Sequence, residues 1–195
     1  MKVAIIDYGA GNTQSVIYAL DRLGVNPILT HDIDELISAD RVIFPGVGHA
    51  ASAMNRLNES GAVEVIKSLA VPVLGICLGM QLMNAFSEEG NVPGLGIFDG
   101  RIVQFAPTLK VPHMGWNTVD HQGDSLFDRI PSGSYFYHVH SYYLPIDQQH
   151  GIAQCTYQQP FTTALRKNNF TGVQFHPEKS GPLGEQLLRN FIDHG

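Results

Sequence analysis

The amino-acid sequence predicts an α/β fold: a mixed, mainly parallel sheet flanked by helices and prolonged by antiparallel strands. Two observations predict it. In the first half, short runs that are apolar at every position alternate with helical patterns, as expected of strands buried on both faces and joined by covering helices. In the second half, strand-like runs succeed one another between turn residues, punctuated by polar side chains that suit antiparallel pairing with one wetter face. With 195 residues, 44% of them hydrophobic and 15% charged, the chain has the apolar material for one sizeable core. No repeat, linker or low-complexity segment divides it, so residues 1–195 read as one domain.

Val3–Ile6 reads as a buried strand. Residues 12–23 follow as a helix, with Val16, Ala19, Leu20 and Leu23 at helical spacing and Gly24 as its left-handed C-terminal stop. Residues 27–30 and 41–44 are two further strands, and the acidic segment 32–40 between them reads as helical. A helix over 62–70 leads into a buried strand over 71–76. Strands are then expected at 101–105, 116–119, 134–139, 152–156, 162–165 and 171–175, and an amphipathic helix over 183–192 completes the pattern.

Composition excludes several classes of function. Lys and Arg number 12 against 18 acids, a net charge of −6, which argues against a surface built to neutralise phosphates. Two cysteines, Cys77 and Cys155, are too few for a disulfide scaffold. The first apolar run is broken at Asp7, unlike a signal peptide, and no stretch approaches the roughly 18 apolar residues of a membrane span. A soluble cytoplasmic protein is the expectation.

The most informative segment is Gly75-Ile76-Cys77-Leu78-Gly79. A buried strand runs straight into a helical pattern, and Cys77 sits at the junction between two flanking glycines. This is the cysteine form of the elbow that presents a nucleophile on a sharp strand-to-helix turn. At a helix N-terminus the sulfur meets free N–H groups and the positive end of the dipole, which favours thiolate. The N–H of Leu78 would point toward an oxyanion. A cysteine in an apolar run is otherwise a small buried hydrophobe, the reading that Cys155, without such flanks, keeps.

A thiol nucleophile needs a base, and the base needs an orienting group. His176 stands at a strand end, followed by Pro177 and Glu178. Two steps along an extended chain return to the same face, so Glu178 is placed to hold one ring nitrogen of His176 while the other faces the sulfur. A solvated surface pair is the alternative for an isolated His-x-Glu. Pro45-Gly46-Val47-Gly48 follows another buried strand, and its glycines let backbone N–H groups of Val47 or Gly48 approach a ligand. That loop lies at the strand ends where parallel sheets bind ligands.

Together, the segments 75–81, 45–48 and 175–178 resemble the class I (triad-type) glutamine amidotransferases. The segments 6–12 (Ile-Asp-Tyr-Gly-Ala-Gly-Asn), 94–100, 111–117 (Val-Pro-His-Met-Gly-Trp-Asn) and 176–181 are similar to one branch of that family, the HisH-type glutaminase subunits of imidazole glycerol phosphate synthase. The likeness runs from residue 1 to about 193, and 138–143 matches the branch with an added histidine.

The resemblance implies the class I amidotransferase fold and a Cys77–His176–Glu178 triad that hydrolyses glutamine to glutamate and ammonia through a thioester. Oxyanion donors would be Leu78 and Val47 or Gly48. Gln81, one helical turn beyond the nucleophile, would hold the amino-acid end of glutamine, and His140, Ser141 and Tyr142 would close the pocket. It also implies a heterodimeric partner, a (β/α)8-barrel cyclase subunit that takes the ammonia for histidine biosynthesis, with Asn12, Trp116 and Lys179 on the docking face. Core packing is the alternative for Trp116. No cofactor and no metal is implied.

The sequence leaves three rivals open. One is a different amidotransferase subunit, serving anthranilate, aminodeoxychorismate or pyridoxal phosphate synthesis. Another is a metal-binding protein using His138 and His140 with His113 or His150, which needs three or four convergent ligands. The third is a γ-glutamyl hydrolase working without a partner.

Overall fold

The computed structural model describes residues 1–9 and 12–194. Strands β1 (Val3–Ile6), β2 (Ile28–Thr30), β3 (Arg41–Phe44) and β4 (Val73–Ile76) pair parallel with one another in the sheet. Between them lie α1 (Thr13–Arg22), α2 (Ile33–Ile37), α3 (Ala50–Glu59) and α4 (Ala62–Ser68). Side-chain capping fixes where the first two begin. Asn12 accepts from the Ser15 N–H, and Asp32 accepts from the N–H groups of Asp34 and Glu35, satisfying donors that a first helical turn leaves free. Helix α3 goes beyond the sequence reading. Its buried positions, Ala50, Ala53, Met54 and Leu57, have helical spacing but are half alanine, a weak apolar signal.

Helix α5 (Leu78–Leu82) follows β4 directly. The chain then forms β5 (Phe86–Ser87), β6 (Val92–Pro93) and β7 (Arg101–Gln104), continuing through β8 (His113–His121), β9 (Ser134–His140), β10 (Tyr142–Tyr143), β11 (Gly151–Tyr157), β12 (Gln159–Lys167) and β13 (Phe170–Val173). It ends with a 3-10 turn, Pro177–Lys179, and helix α6 (Gly181–His194). Among the described residues the large sheet is nine-stranded, ordered β2-β1-β3-β4-β13-β12-β11-β8-β9, and a four-stranded sheet is ordered β10-β7-β5-β6.

One pairing decides the position of the site. β13 belongs to the half expected to be antiparallel, and it does pair antiparallel with β12, but on its other side it runs parallel to β4, with Gly172 opposite Gly75 and Val173 opposite Ile76. The chain leaving β4 at Cys77 and the chain leaving β13 toward His176 therefore emerge side by side. The Cys77 N–H donates to the Val173 carbonyl at 2.8 Å.

Side chains alternate across the sheet, so β1 sends Ala4 and Ile6 to one apolar layer and Val3 and Ile5 to the other. The first layer is covered by α2 to α5, through Leu36, Met54, Leu57, Ile66 and Leu82. The second is covered by α1 and α6, through Leu20, Leu187, Leu188 and Phe191. Each fully buried side chain of this size contributes about 1.5–3 kcal/mol. Both faces of the scaffold beneath Cys77 are thus pinned. No helix among the described residues is long and apolar enough to cross a membrane.

Candidate active site

Cys77 adopts φ 53°, ψ −106°, a left-handed conformation that L residues rarely take and that stores strain. Packing holds it there. Gly79, in the first turn of α5, lies against the backbone of Phe44, and a Cβ there would run into the Phe44 carbonyl oxygen. A Cβ on Gly46 would lie 2.7 Å from Leu78 Cβ and 2.8 Å from the Gly79 nitrogen. The elbow and the 45–48 loop interlock, and glycine is what lets them approach.

His176 is fixed through its backbone. Its N–H donates to the Tyr137 carbonyl at 2.9 Å, and its carbonyl accepts from Ser180 Oγ at 2.6 Å. Its ring Nδ1 donates to Glu178 Oε1 at 2.7 Å, and both side chains are buried. The proximity arises differently from the alternation expected. Residues Pro177–Lys179 form a 3-10 turn with His176 at its N-cap, and the turn curls Glu178 back onto the ring. The other ring nitrogen is turned to Cys77. Burial pushes the imidazolium down, but the Cys77 thiolate, as a charge and as a hydrogen-bond acceptor, and then Glu178, outweigh it and hold His176 at about 10.

Val47, Gly48, Cys77, Leu78, Gln81, His140, Ser141, Tyr142 and His176 line one cavity of about 280 Å³, at the small end of ligand pockets. Glu178 stands behind His176. The Leu78 N–H donates to the Gly46 carbonyl at 3.3 Å, so in this structure it is engaged within the 45–48 loop and not free toward the cavity. Asn12, Trp116 and Lys179 are exposed, and Trp116, 55% exposed, is not a core residue. Ala10 and Gly11 of the 6–12 segment lie outside the described residues.

Two site residues escape the sequence reading. Glu89 lines the cavity while its Oε2 accepts the Ala50 N–H at 2.7 Å; it sits in an acidic turn without periodicity, so no pattern marks it. Gln174 is fully buried and its Nε2 donates to Cys77 Sγ at 3.6 Å. A polar residue inside the apolar run 170–175 is the signal that could have found it.

Beside the cavity, His113, His138 and His140 bring ring nitrogens within 4.8 Å of one another, whereas His150 faces Asp147. A directed hydrogen-bond chain runs through this cluster. Asn117 Nδ2 donates to the Thr156 carbonyl and to His113 Nε2, at 3.0 and 3.2 Å. The His113 proton is therefore on Nδ1, which donates to His140 Nε2 at 3.1 Å, and His140 Nδ1 donates to the Tyr142 carbonyl at 2.8 Å. A metal would have to break this chain to gain ligands other than His138, whose ring nitrogens are without partners among the described residues. Burial pushes His113 to about 4; burial and then the His113 charge push His140 to about 3; His138 is driven well down by burial. The wall of three imidazoles is neutral at neutral pH.

The sequence profile described as "Glutamine amidotransferase class-I" matches residues 4–194. A protein of Bacteroides fragilis (strain YCH46) named imidazole glycerol phosphate synthase subunit HisH is 54% identical, the match covering 99% of this chain and 100% of that protein. A protein of the same name from Pectobacterium atrosepticum is 48% identical over the same shares. Among solved structures, a Thermoplasma acidophilum protein described as a GMP synthase component matches with TM-score 0.76 at 22% identity, covering 99% of this chain and 92% of that one. A structure described as a glutamine amidotransferase matches with TM-score 0.77 at 15% identity, covering 99% and 98%. At those identities the structures speak to the fold, and the fold is shared. With the profile spanning nearly the whole chain around a buried cysteine–histidine–glutamate arrangement, the protein belongs to the class I glutamine amidotransferases.

Proposed function

We propose that this chain, acting as one amidotransferase unit, is the glutaminase subunit of imidazole glycerol phosphate synthase, working in the cytoplasm. The observation that carries the chemistry is the cavity in which Cys77 meets His176, with Glu178 at 2.7 Å behind the ring. The names of full-length relatives at 48–54% identity support the pathway and weigh against the other amidotransferase subunits.

In this reading the Cys77 thiolate attacks the side-chain amide carbon of glutamine, and the carbonyl electron pair moves to oxygen. His176 Nε2 gives its proton to the amide nitrogen, the C–N bond breaks and ammonia leaves. A γ-glutamyl thioester remains on sulfur. Water then attacks as His176 Nε2 removes its proton, and collapse of the second tetrahedral species releases glutamate and regenerates thiolate and imidazolium. Glu178 fixes the tautomer throughout. Gln81 and Glu89 face the amino-acid end of the substrate, where the carboxylate of Glu89 suits an ammonium, while His140, Ser141 and Tyr142 close the other wall. Leu78 with Val47 or Gly48 stabilises both oxyanions, after the Gly46 carbonyl that now accepts from Leu78 has rotated.

Ammonia near neutral pH is mostly protonated in bulk water and then no nucleophile, so this reading includes a partner that shields it. That partner is a (β/α)8-barrel cyclase, docked as a heterodimer against a face containing Asn12, Trp116 and Lys179. The test uses the purified chain with the barrel cyclase. Cys77→Ala is expected to abolish glutamine-dependent synthesis and leave synthesis from ammonium salts intact, and the isolated wild-type chain is expected to turn over glutamine slowly. Retained glutamine use in Cys77→Ala would remove Cys77 as nucleophile, and equal turnover with and without cyclase would remove the partner's role.

A further inference from the structure

We infer that Gln174 is a further catalytic residue, a buried amide donor keyed by the Tyr142 carbonyl, which hydrogen-bonds the Cys77 sulfur when it carries negative charge. The inference rests on Cys77 being the nucleophile. Its basis is a chain in which each link fixes the next. The Tyr142 carbonyl can only accept, so the group at 3.0 Å from it must be the amide nitrogen of Gln81. That nitrogen also lies 2.9 Å from Gln174, which must present its oxygen there. Gln174 therefore turns its N–H groups to the Cys77 sulfur at 3.6 Å. The amide has no freedom to flip, because flipping would set two donors against each other between two buried side chains.

The sulfur then has the Gln174 amide as its hydrogen-bond donor and the His176 ring as a second group acting on it, and the two differ in what they do during turnover. His176 surrenders its proton to the leaving ammonia, so its help to the sulfur is withdrawn as the thioester forms. Gln174 keeps its protons. It stabilises the attacking thiolate and again the thiolate expelled when water attacks the thioester, and it favours the sulfur least in the neutral thioester between those steps. The anchor of the chain, Tyr142, belongs to the segment closing the substrate cavity, so closure of that wall and orientation of the donor are coupled.

The direct readout is the pH dependence of Cys77 alkylation by iodoacetamide on the isolated chain, with Cys77→Ala as the blank for Cys155. His176, Glu178 behind it, Tyr8, Glu89, His138 and His140 also act on or face this site, and all are common to wild type and variant. In Gln174→Met the midpoint is expected to rise by about one pH unit, the scale of one hydrogen bond to a charged group. In Gln174→Glu, whose carboxylate faces the sulfur, it is expected to rise further. A purely structural role lowers the melting temperature but leaves the midpoints together, and midpoints within about 0.3 unit of wild type overturn the inference. A measurement on the unmodified chain decides the matter even where neither variant folds. The side-chain amide resonances of Gln174 are expected to move with the thiolate titration, and resonances flat through it overturn the inference. Glutaminase activity surviving in Cys77→Ala would instead overturn the assignment of the nucleophile, while the alkylation midpoints still report on Gln174.

Discussion

The three neutral histidines beside the cavity are expected to make the protein lose stability in acid, and His113 gives the cleanest measure of it. Its ring is held at about 4 by burial, against about 6.5 for an unfolded histidine. Because the folded value is the lower one, the unfolded chain takes up the proton first as pH falls. Stability from this residue is complete above about pH 6.5, declines through the interval below it, and declines no further below about pH 4. At pH 5 the unfolded imidazole gains RT ln(1 + 10^1.5), about 2 kcal/mol, from protonation, whereas at pH 7 it gains a few tenths. His140, held at about 3, adds a similar loss, while His176, raised to about 10, changes in the opposite sense. Replacing His113 by Gln removes the titration and keeps an amide able to donate toward His140 and accept from Asn117. Urea unfolding at pH 7 and pH 5, followed by circular dichroism, gives the loss on acidification for each protein. The variant is expected to lose about 2 kcal/mol less than wild type over this interval, whatever its stability at pH 7. Equal losses would show that His113 is not held neutral in the folded state.

Glu178→Gln is expected to lower glutaminase kcat/KM by about 10- to 100-fold, the scale of one charge-assisted hydrogen bond, with ammonia-dependent synthesis unchanged; steady-state assays of both reactions check it. Gly79→Ala places a Cβ against the Phe44 carbonyl, so a loss of about 2 kcal/mol and a melting temperature lower by about 5 °C are expected in calorimetry, with glutaminase activity falling as the elbow shifts. Trp116→Ala removes a half-exposed ring. It is expected to leave the melting temperature within about 2 °C of wild type and to weaken cyclase binding at least tenfold by titration calorimetry.

What was legible in the sequence is what is encoded locally. Gly75-Ile76-Cys77-Leu78-Gly79 carries its strand, its turn and its helix start within five residues, and the structure builds the elbow there. His176 and Glu178 were legible as a pair, but not the 3-10 turn that joins them, because Pro177 suits either an extended stop or a first helical position. The direction of β13 was not legible. Its partner β4 lies about a hundred residues earlier, and nothing in Phe170–Val173 says which strand it will meet. The same limit left open whether His113 or His150 joins His138 and His140: His113 comes opposite His140 through the β8–β9 register, which no window of sequence contains. Glu89 and Gln174 acquire meaning only from what faces them.

These long-range pairings divide the site into two parts of different rigidity. Cys77 and His176 leave adjacent strands of the central sheet, covered by apolar layers on both faces, and Glu178 follows within a turn closed by Ser180. The proposed proton-transfer groups are therefore set by the core and cannot shift without cost to the fold. The proposed oxyanion donors belong to the other part. Val47 and Gly48 lie in a loop, and the Gly46 carbonyl accepts from the Leu78 N–H, the other donor in the proposed mechanism. Rotating one peptide plane changes this without disturbing the sheet, and the same rotation that removes the Gly46 carbonyl swings the Val47 N–H the opposite way. In the proposed mechanism, a nucleophile held by the core, with charge stabilisation left to one loop peptide, would let turnover be governed at that loop while Cys77 and His176 stay in place. That is the arrangement a glutaminase requires if ammonia is to be made only when something else is present to receive it.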